Sequence, residues 1–260
     1  GETEKAITEA SMKRTWTMLT LALVAGVTAS AVANGFRNPE DGAKALSMAG
    51  GKTVWIDDAS AAWHNPANLA HIESSKVQVS TTWVYGETTF TSSAGRSTTT
   101  EDAGEVWLPS LFAAMPLEAD RLSLAVSVNS PFGQSTRWPD DELFRYTSPT
   151  YVRMTTAALN PSLVVAVNDQ LSVAVGAVVL NGEIEFEQYL PWSMTLGAPG
   201  PPDGKTEFEA DGRGFGGNAA VHWAVTDRQH LAATYRSGID VEMTGDVHID
   251  NLPSSPMLAP

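Results

Sequence analysis

From residue 76 onward, apolar and polar residues alternate along the chain with a period of two, and little helical periodicity is present. This alternation is typical of half-buried β-strands. Seven apolar faces of this kind occur, at 77–85, 107–115, 122–128, 159–167, 171–179, 215–225 and 231–243. The pattern predicts an all-β protein with seven strands, the last carrying Ile239, Val241 and Met243 on the same face as Leu231.

The segments between the predicted strands alternate between short and long. Short turns fall at 116–120, 168–170 and 226–229, and long polar loops fall at about 91–104, 131–150 and 189–205. Outer-membrane β-barrels sort their connections in this way, with short periplasmic turns and long extracellular loops. A soluble β-sandwich also alternates but has no reason to sort its loops by length. We therefore predict a transmembrane antiparallel β-barrel.

Asn181-Gly182 interrupts this regular order, because Asn-Gly is a strong signal for a short hairpin. The apolar phase slips here from odd positions such as Val179 to even positions such as Ile184 and Phe186. A hairpin would break the alternation of short and long connections. We therefore favour one long strand with a β-bulge at this point.

The N-terminal region has the features of an export signal. Met12-Lys13-Arg14 precedes an apolar run over 16–32 that ends in Ala31-Val32-Ala33. A basic start, a short apolar middle and an A-x-A ending predict a signal peptide cleaved near Ala33, whereas the apolar run is short for a transmembrane helix. Residues 1–33 are thus expected to be an upstream extension and signal peptide.

Composition narrows the functions that remain. The chain has 16 basic and 30 acidic residues, for a formal net charge of −14, and it contains no cysteine. An acidic chain lacks the cationic surface that nucleic acids require, and without cysteine neither disulfides nor thiolate metal sites can form. We expect no nucleic-acid partner.

Seven strands also fall short of the even number, eight or more, that closes a single-chain bacterial barrel. This predicts that the chain is the N-terminal part of a longer protein.

Residues that could carry chemistry form no convincing site. Asp57, Asp58 and His64 suggest a metal, but adjacent carboxylates point apart and no second histidine stands at ligand spacing. The segment 212–217 fits G-x-G-x-x-G, yet it leads into strand-like sequence instead of a helix. Lumen-facing candidates for hydrolysis are Ser110, Ser162 and His222. No motif places these three together, so we expect no metal, no cofactor and no enzymatic activity.

Several short motifs, in order along the chain, resemble the FadL/TodX family of outer-membrane transporters for long-chain fatty acids and other hydrophobic molecules. The matching pieces are Asn34-Gly35-Phe36, the stretch 45–51, Asp57-Asp58-Ala59 with Asn65-Pro66-Ala67, Ser130-Pro131-Phe132-Gly133, the stretch 160–163, and 231–238. The resemblance covers the whole chain after the signal. Its most specific parts are the DDA and NPA pair and the segment Tyr235-Arg236-Ser237-Gly238.

The resemblance implies a 14-stranded barrel plugged by a small N-terminal hatch. Here the hatch would comprise 34–75, with the Asp57-Asp58 and Asn65-Pro66-Ala67 motifs, and the first half of the barrel would comprise 76–260. Family members have an inward kink in the third strand that opens the wall, and Ser130-Pro131-Phe132-Gly133 lies at the matching place. Proline and glycine both mark breaks in strands. The alternative is that Pro131 simply begins a surface loop.

The resemblance also directs attention to the end of strand five. Fatty-acid-binding members have basic residues there, whereas this sequence has Glu183, Glu185 and Glu187. A neutral apolar substrate is therefore an alternative to a fatty acid. Arg153 and Arg236 are possible lumen cations, with Arg236 expected in a charge network with Asp240 and Glu242.

The function implied by the family is passive, ligand-gated uptake. Extracellular loops would capture the substrate, the segment Asn34–Phe36 would shift, and the substrate would leave sideways through the strand-three gap. The expected protein is a monomer surrounded by outer-membrane lipid and lipopolysaccharide. Two alternatives stay open: a barrel with lipase-like activity in its lumen, and a structural or adhesive barrel.

Overall fold

The computed structural model describes residues 37–39, 41–48, 51–101, 105–140, 144–192 and 203–251. Residues 36–260 form one compact unit, to which all of these belong. The predicted signal peptide and the segment Asn34-Gly35-Phe36 lie outside the described residues, and both remain predictions.

The chain before residue 76 forms short helical turns. They are α1 (Ala43–Ser47), α2 (Lys52–Trp55), α3 (Ala61–His64) and a 3₁₀ helix (Pro66–Leu69). Helices this short are not stable alone, because nucleation costs more than a single turn returns. No helix in the described part of the chain is long and apolar enough to cross a membrane. We call residues 37–75 the plug.

Strands occupy most of the remaining chain. They are β1 (Lys76–Val84), β2 (Thr89–Thr91), β3 (Ser97–Thr99), β4 (Val106–Glu118), β5 (Leu122–Asn129), β6 (Gly133–Arg137), β7 (Tyr151–Ala166), β8 (Leu171–Leu190), β9 (Gly204–Thr226), β10 (Gln229–Arg236) and β11 (Glu242–Asp250). Strands β2 and β3 form a separate hairpin that overlaps the predicted first long loop, 91–104. All others join one antiparallel sheet.

The order in that sheet is β1-β4-β5-β7-β8-β9-β10, with β6 also pairing β7 and β11 also pairing β9. Sequential neighbours therefore pair, as in an up-and-down barrel wall. Because β5 with β6 and β10 with β11 each share one neighbour, they are the two halves of barrel strands three and seven. The seven predicted barrel strands are confirmed.

The two faces of the wall differ as the alternation predicts. On the outer face, apolar side chains are left exposed, including Val79 (77%), Phe215 (70%) and Trp107 (61%). On the inner face, Ser127, Asn160 and other small residues are buried against the plug. This is the reverse of a soluble protein and is what a lipid-facing wall requires.

Asn181-Gly182 lies within a continuous β8, so the hairpin alternative is excluded. The bulge is also wrong, because β8 pairs in constant register with β9 from Leu171↔Trp223 to Leu190↔Gly204. The phase slip in the sequence has another cause. After Val179 the outward side chains become polar, whereas inward side chains such as Ile184 and Phe186 are apolar.

Strand seven differs from the prediction. Arg236 pairs with Asn218, but Glu242 pairs with Arg213, so five residues of the strand lie opposite four of β9. Because of this extra residue, odd-numbered side chains point outward in β10 but inward in β11. Ile239 and Val241 pack against a buried inner cluster instead of sharing the outer face of Leu231.

Candidate functional site

The inner wall has an apolar region above the plug. On β8 the outward side chains are apolar up to Val179 and polar from Asn181 onward; on the paired β9 the change falls between Phe215 and Arg213. A tilted strand needs about 9–11 residues to cross the bilayer. The strands continue well beyond that length, so their upper parts stand above the apolar belt with a polar outside.

Most inward side chains of these upper parts are apolar, and the polar ones at inward register positions, Thr156, Gln188 and Thr206, are uncharged. The apolar side chains that lie beyond the cluster buried against the plug are Val152, Met154, Ile184, Phe186, Phe208, Ala210, Met243, Val247 and Ile249. Phe186 and Phe208 stack with ring centroids 5.0 Å apart. We call this surface the apolar chamber. The inward positions of these upper strand segments carry no charged side chain among the described residues.

The predicted acidic substitutions do not face the chamber. Glu183 is exposed, and its register partners on the adjacent strands are Thr155 on β7 and Asp211 on β9. All three lie on the outer face. Arg153 shares this face through its pairing with Glu185. The geometry therefore argues against contact between Glu183 or Arg153 and a solute in the lumen, and both expectations are corrected.

Barrel strand three is interrupted where the sequence suggested. Asn129 pairs with Ala158 and Gly133 with Thr155, so three residues, 130–132, lie opposite two. The strand resumes as β6, which excludes the alternative that Pro131 begins a surface loop. A side chain replaces the missing ladder bonds: the Thr156 hydroxyl accepts from the Phe132 amide (3.0 Å) and donates to the Phe132 carbonyl (2.5 Å).

The first two residues of the plug contact this interruption. Arg37 forms an isolated bridge with Phe132. The amide of Asn38 donates to the Pro131 carbonyl (3.0 Å), and its side-chain Nδ2 donates to the Ser130 carbonyl (2.8 Å). Residues at the start of the plug thus hold the interrupted strand in place. Arg37 and Asn38 lie outside the motifs recognised in the sequence.

The wall holds the plug largely through main-chain carbonyls. Asn160 donates to Ala62 (3.1 Å) and Ser172 donates to Ala67 (2.7 Å). Both donors are buried.

Arg236 makes a further contact of this kind. Its Nη2 donates to the Trp63 carbonyl (2.9 Å), and its guanidinium carbon lies 3.6 Å from the centroid of the Trp63 ring. The predicted network with Glu242 is incorrect, since Glu242 pairs with Arg213 on the outer face. Arg236 is a plug anchor.

A buried carboxylate provides a second anchor. Asp41 accepts hydrogen bonds from the Ser110 hydroxyl (2.7 Å) on β4 and from Asn129 Nδ2 (2.6 Å) on β5. His64 Nε2 lies 2.7 Å from the main-chain oxygen of Asp41. Ser110 thus donates to the carboxylate directly, which is not the Ser-His-Asp order of a hydrolase, and all three groups are buried.

The remaining motif residues have structural roles. Asp58 accepts from the Ser60 amide (2.9 Å), and Asn65 accepts from the Ala67 amide (3.1 Å) at the start of the 3₁₀ helix, where Pro66 is the first residue. Asp57 forms an ion pair with Lys44, and this hydrogen bond lowers the pKa of Asp57.

Hydrolytic and metal sites find no support in the described parts of the chain. No group of three or more His, Asp or Glu side chains there could hold a metal ion. The Ser162 hydroxyl donates to Asn218, and His222 hydrogen-bonds His230. Neither Ser162 nor His222 therefore forms a catalytic pair with Ser110. The G-x-G-x-x-G segment lies inside β9.

An antiparallel wall with an apolar exterior, an inner plug and two interrupted strands defines a plugged transmembrane β-barrel. The family described as "Outer membrane protein transport protein (OMPP1/FadL/TodX)" matches residues 24–257. The chain belongs to this family, as the sequence motifs indicated.

Three relatives show how far the likeness extends. The long-chain fatty acid transport protein of Escherichia coli O6:H1 is 24% identical over 261 residues, which cover 91% of this chain and 57% of the relative. A FadL homologue of Pseudomonas aeruginosa superposes with a TM-score of 0.61 at 24% identity, covering 79% of this chain and 53% of the other. The toluene transporter TodX of P. putida gives 0.59 at 15% identity, covering 75% and 57%. The chain thus spans a little over half the length of the relatives it matches.

Proposed function

We propose that the protein is an outer-membrane channel for the uptake of hydrophobic small molecules. The observation that carries this proposal is the apolar chamber, an uncharged surface held above the membrane belt and open to the lumen. Each buried CH₂ contributes about 0.8 kcal/mol, so such a surface can take an apolar solute from water. Family membership supports the same function, because its named relatives include fatty-acid and toluene transporters.

The proposed route leads from the chamber to the interruption in strand three. Only the Thr156 hydroxyl and the Arg37–Asn38 segment bond across that interruption among the described contacts. Movement of this segment would free Phe132 and open the wall to lipid. The exit is thus lateral and passive, and the shift of Asn34–Phe36 expected from the sequence would release it.

The chamber favours a neutral solute over a carboxylate. Its described inner positions offer no cation, and the glutamates of strand five face outward. An aromatic or aliphatic hydrocarbon is therefore the substrate class that we propose, with a long-chain fatty acid as the second candidate because of the named fatty-acid relative.

The test is uptake of radiolabelled toluene and palmitate by cells with and without the full-length protein. The second comparison uses Gly133→Val, since a Cβ at this position would lie 3.2 Å from the Asn38 side chain and 3.4 Å from the Met154 carbonyl. The control is Gly86→Val, where no atom lies within 4 Å. We expect faster toluene uptake with the protein, and slower uptake with Gly133→Val alone, because the valine side chain would occupy space at the interruption through which the solute leaves.

Other outcomes would favour other functions. Equal uptake with and without the protein would reject transport and leave the structural or adhesive barrel. Release of fatty acid from an ester by the purified protein would support the lipase-like alternative. Normal uptake by Gly133→Val would exclude exit at strand three.

A further inference from the structure

The second interrupted strand of the wall has no role in the route described above. Residues Ser237–Val241, here called the inner segment, join β10 to β11. The Ser237 amide donates to the Gly217 carbonyl (2.9 Å) and the Gly217 amide donates to the Ser237 hydroxyl (3.0 Å). Regular pairing resumes at Glu242. Between these points the chain lies on the inner face of β9.

A row of glycines makes room for the inner segment. A Cβ at Gly214 would lie 2.5 Å from the Asp240 carbonyl and from Ile239 Cγ2, and one at Gly216 would lie 2.6 Å from Ile239 Cγ1. Real side chains do not approach so closely. Glycine inside a strand costs roughly 0.5–1 kcal/mol relative to alanine, and it marks places where another backbone comes near. The G-x-G-x-x-G motif thus has a packing role.

The inner segment lies between the chamber and the plug. Ile239 and Val241 pack against the buried cluster that contains Phe112, Val178 and Trp63. Above them, Met243 covers Gly182, with its Cε 3.0 Å from the Cβ position of that glycine. A solute that descends the chamber therefore meets Ile239 and Val241 before it reaches the plug.

The geometry points to the inner segment as a specificity-determining element for the channel function proposed above. Ile239 and Val241 form the floor of the chamber and limit the length of an apolar solute that can bury itself there. Both are β-branched and stiff at χ1, so the floor cannot fold aside as a methionine would. Compact molecules fit above it, whereas a long unbranched chain needs a deeper chamber.

Contact with the floor can be tested without transport, by protection from cysteine labelling. These 260 residues contain no cysteine, so Ile239→Cys and its exposed neighbour Asp240→Cys provide matched sites in the full-length protein once any cysteine outside these residues is replaced by serine. We expect saturating toluene to slow maleimide labelling of the cysteine at 239 several-fold and to leave labelling at 240 unchanged. Equal rates at 239 with and without toluene would refute the floor.

Length selection is tested by binding to the purified protein in detergent. Ile239→Ala combined with Val241→Ala should raise the affinity for palmitate relative to toluene about fourfold per newly buried CH₂, at about 0.8 kcal/mol each. The milder Ile239→Val gives a smaller shift should the double variant not fold. The control is Leu231→Ala, on the outer face of the same strand.

The outcomes separate this inference from the proposed function. An unchanged affinity ratio, or an equal loss for both ligands, would overturn the floor as a selector. A shifted ratio together with no uptake by cells would retain the floor and reject the transport function.

Discussion

Removal of the Asp41 carboxylate should detach the plug from the wall. In Asp41→Ala, Ser110 on β4 and Asn129 on β5 both lose their acceptor inside a buried region. Hydrogen bonds to a carboxylate contribute roughly 1.5–3 kcal/mol each, and desolvation of the carboxylate offsets part of this. We expect plug docking to weaken by about 2–4 kcal/mol, which raises the detached fraction roughly 30- to 900-fold.

Two variants calibrate this effect. Asp41→Asn keeps one acceptor oxygen, so it should weaken plug docking about half as much as Asp41→Ala does. Asp57→Ala removes an exposed carboxylate of the same plug, with a side chain 78% accessible to solvent. Exposed ion pairs contribute little, so this control should behave as the wild type.

The assay is single-channel conductance of the full-length protein in planar bilayers, with limited proteolysis of the plug in parallel. Asp41→Ala should show frequent large openings and rapid cleavage in the plug. If its openings and cleavage rate match those of the wild type, or if Asp57→Ala is equally affected, the role of Asp41 as an anchor is refuted.

Two further predictions concern the wall. Arg236→Lys keeps the charge but loses the planar stacking on Trp63, so plug docking should weaken by about 1 kcal/mol, seen as faster proteolysis; an unchanged rate would contradict this. In Gly176→Ala the new Cβ would lie 2.3 Å from Ser162 Oγ, whereas at Gly217 the nearest atom is 3.5 Å away. The folded, heat-modifiable fraction on gels should therefore fall for Gly176→Ala and not for Gly217→Ala, and equal fractions would exclude the clash.

The strands of the wall and their two faces could be predicted from the sequence, because lipid on one side and a packed lumen on the other require strict alternation of apolar and polar residues. Positions such as Val79 and Trp107 could be assigned to the outer face from this rule alone. The rule fails where the surroundings change. Above the bilayer, Glu183 is turned outward and Phe186 inward, which looks in sequence like a bulge although the register of β8 is constant.

Interruptions were recognisable only where a residue marked them. Pro131 and Gly133 signalled the break in strand three. The break in strand seven had no proline, and the glycines that accommodate it lie on the neighbouring β9. One extra residue there turns Ile239 inward, and only the paired strand shows this. The anchors Asp41 and Asn38 were also missed, since their partners are distant in sequence.

The distances in sequence between the plug and its wall partners have a consequence for biogenesis. Ala62 and Asn160 are separated by 98 residues, Ala67 and Ser172 by 105, and Trp63 and Arg236 by 173. The plug precedes every wall strand in the chain, yet its partners are complete only after strand seven has formed. Because loops must close before such contacts are rewarded, we expect the plug to order last. Until then its short helices would stay largely unformed, because a single turn is not stable without packing partners.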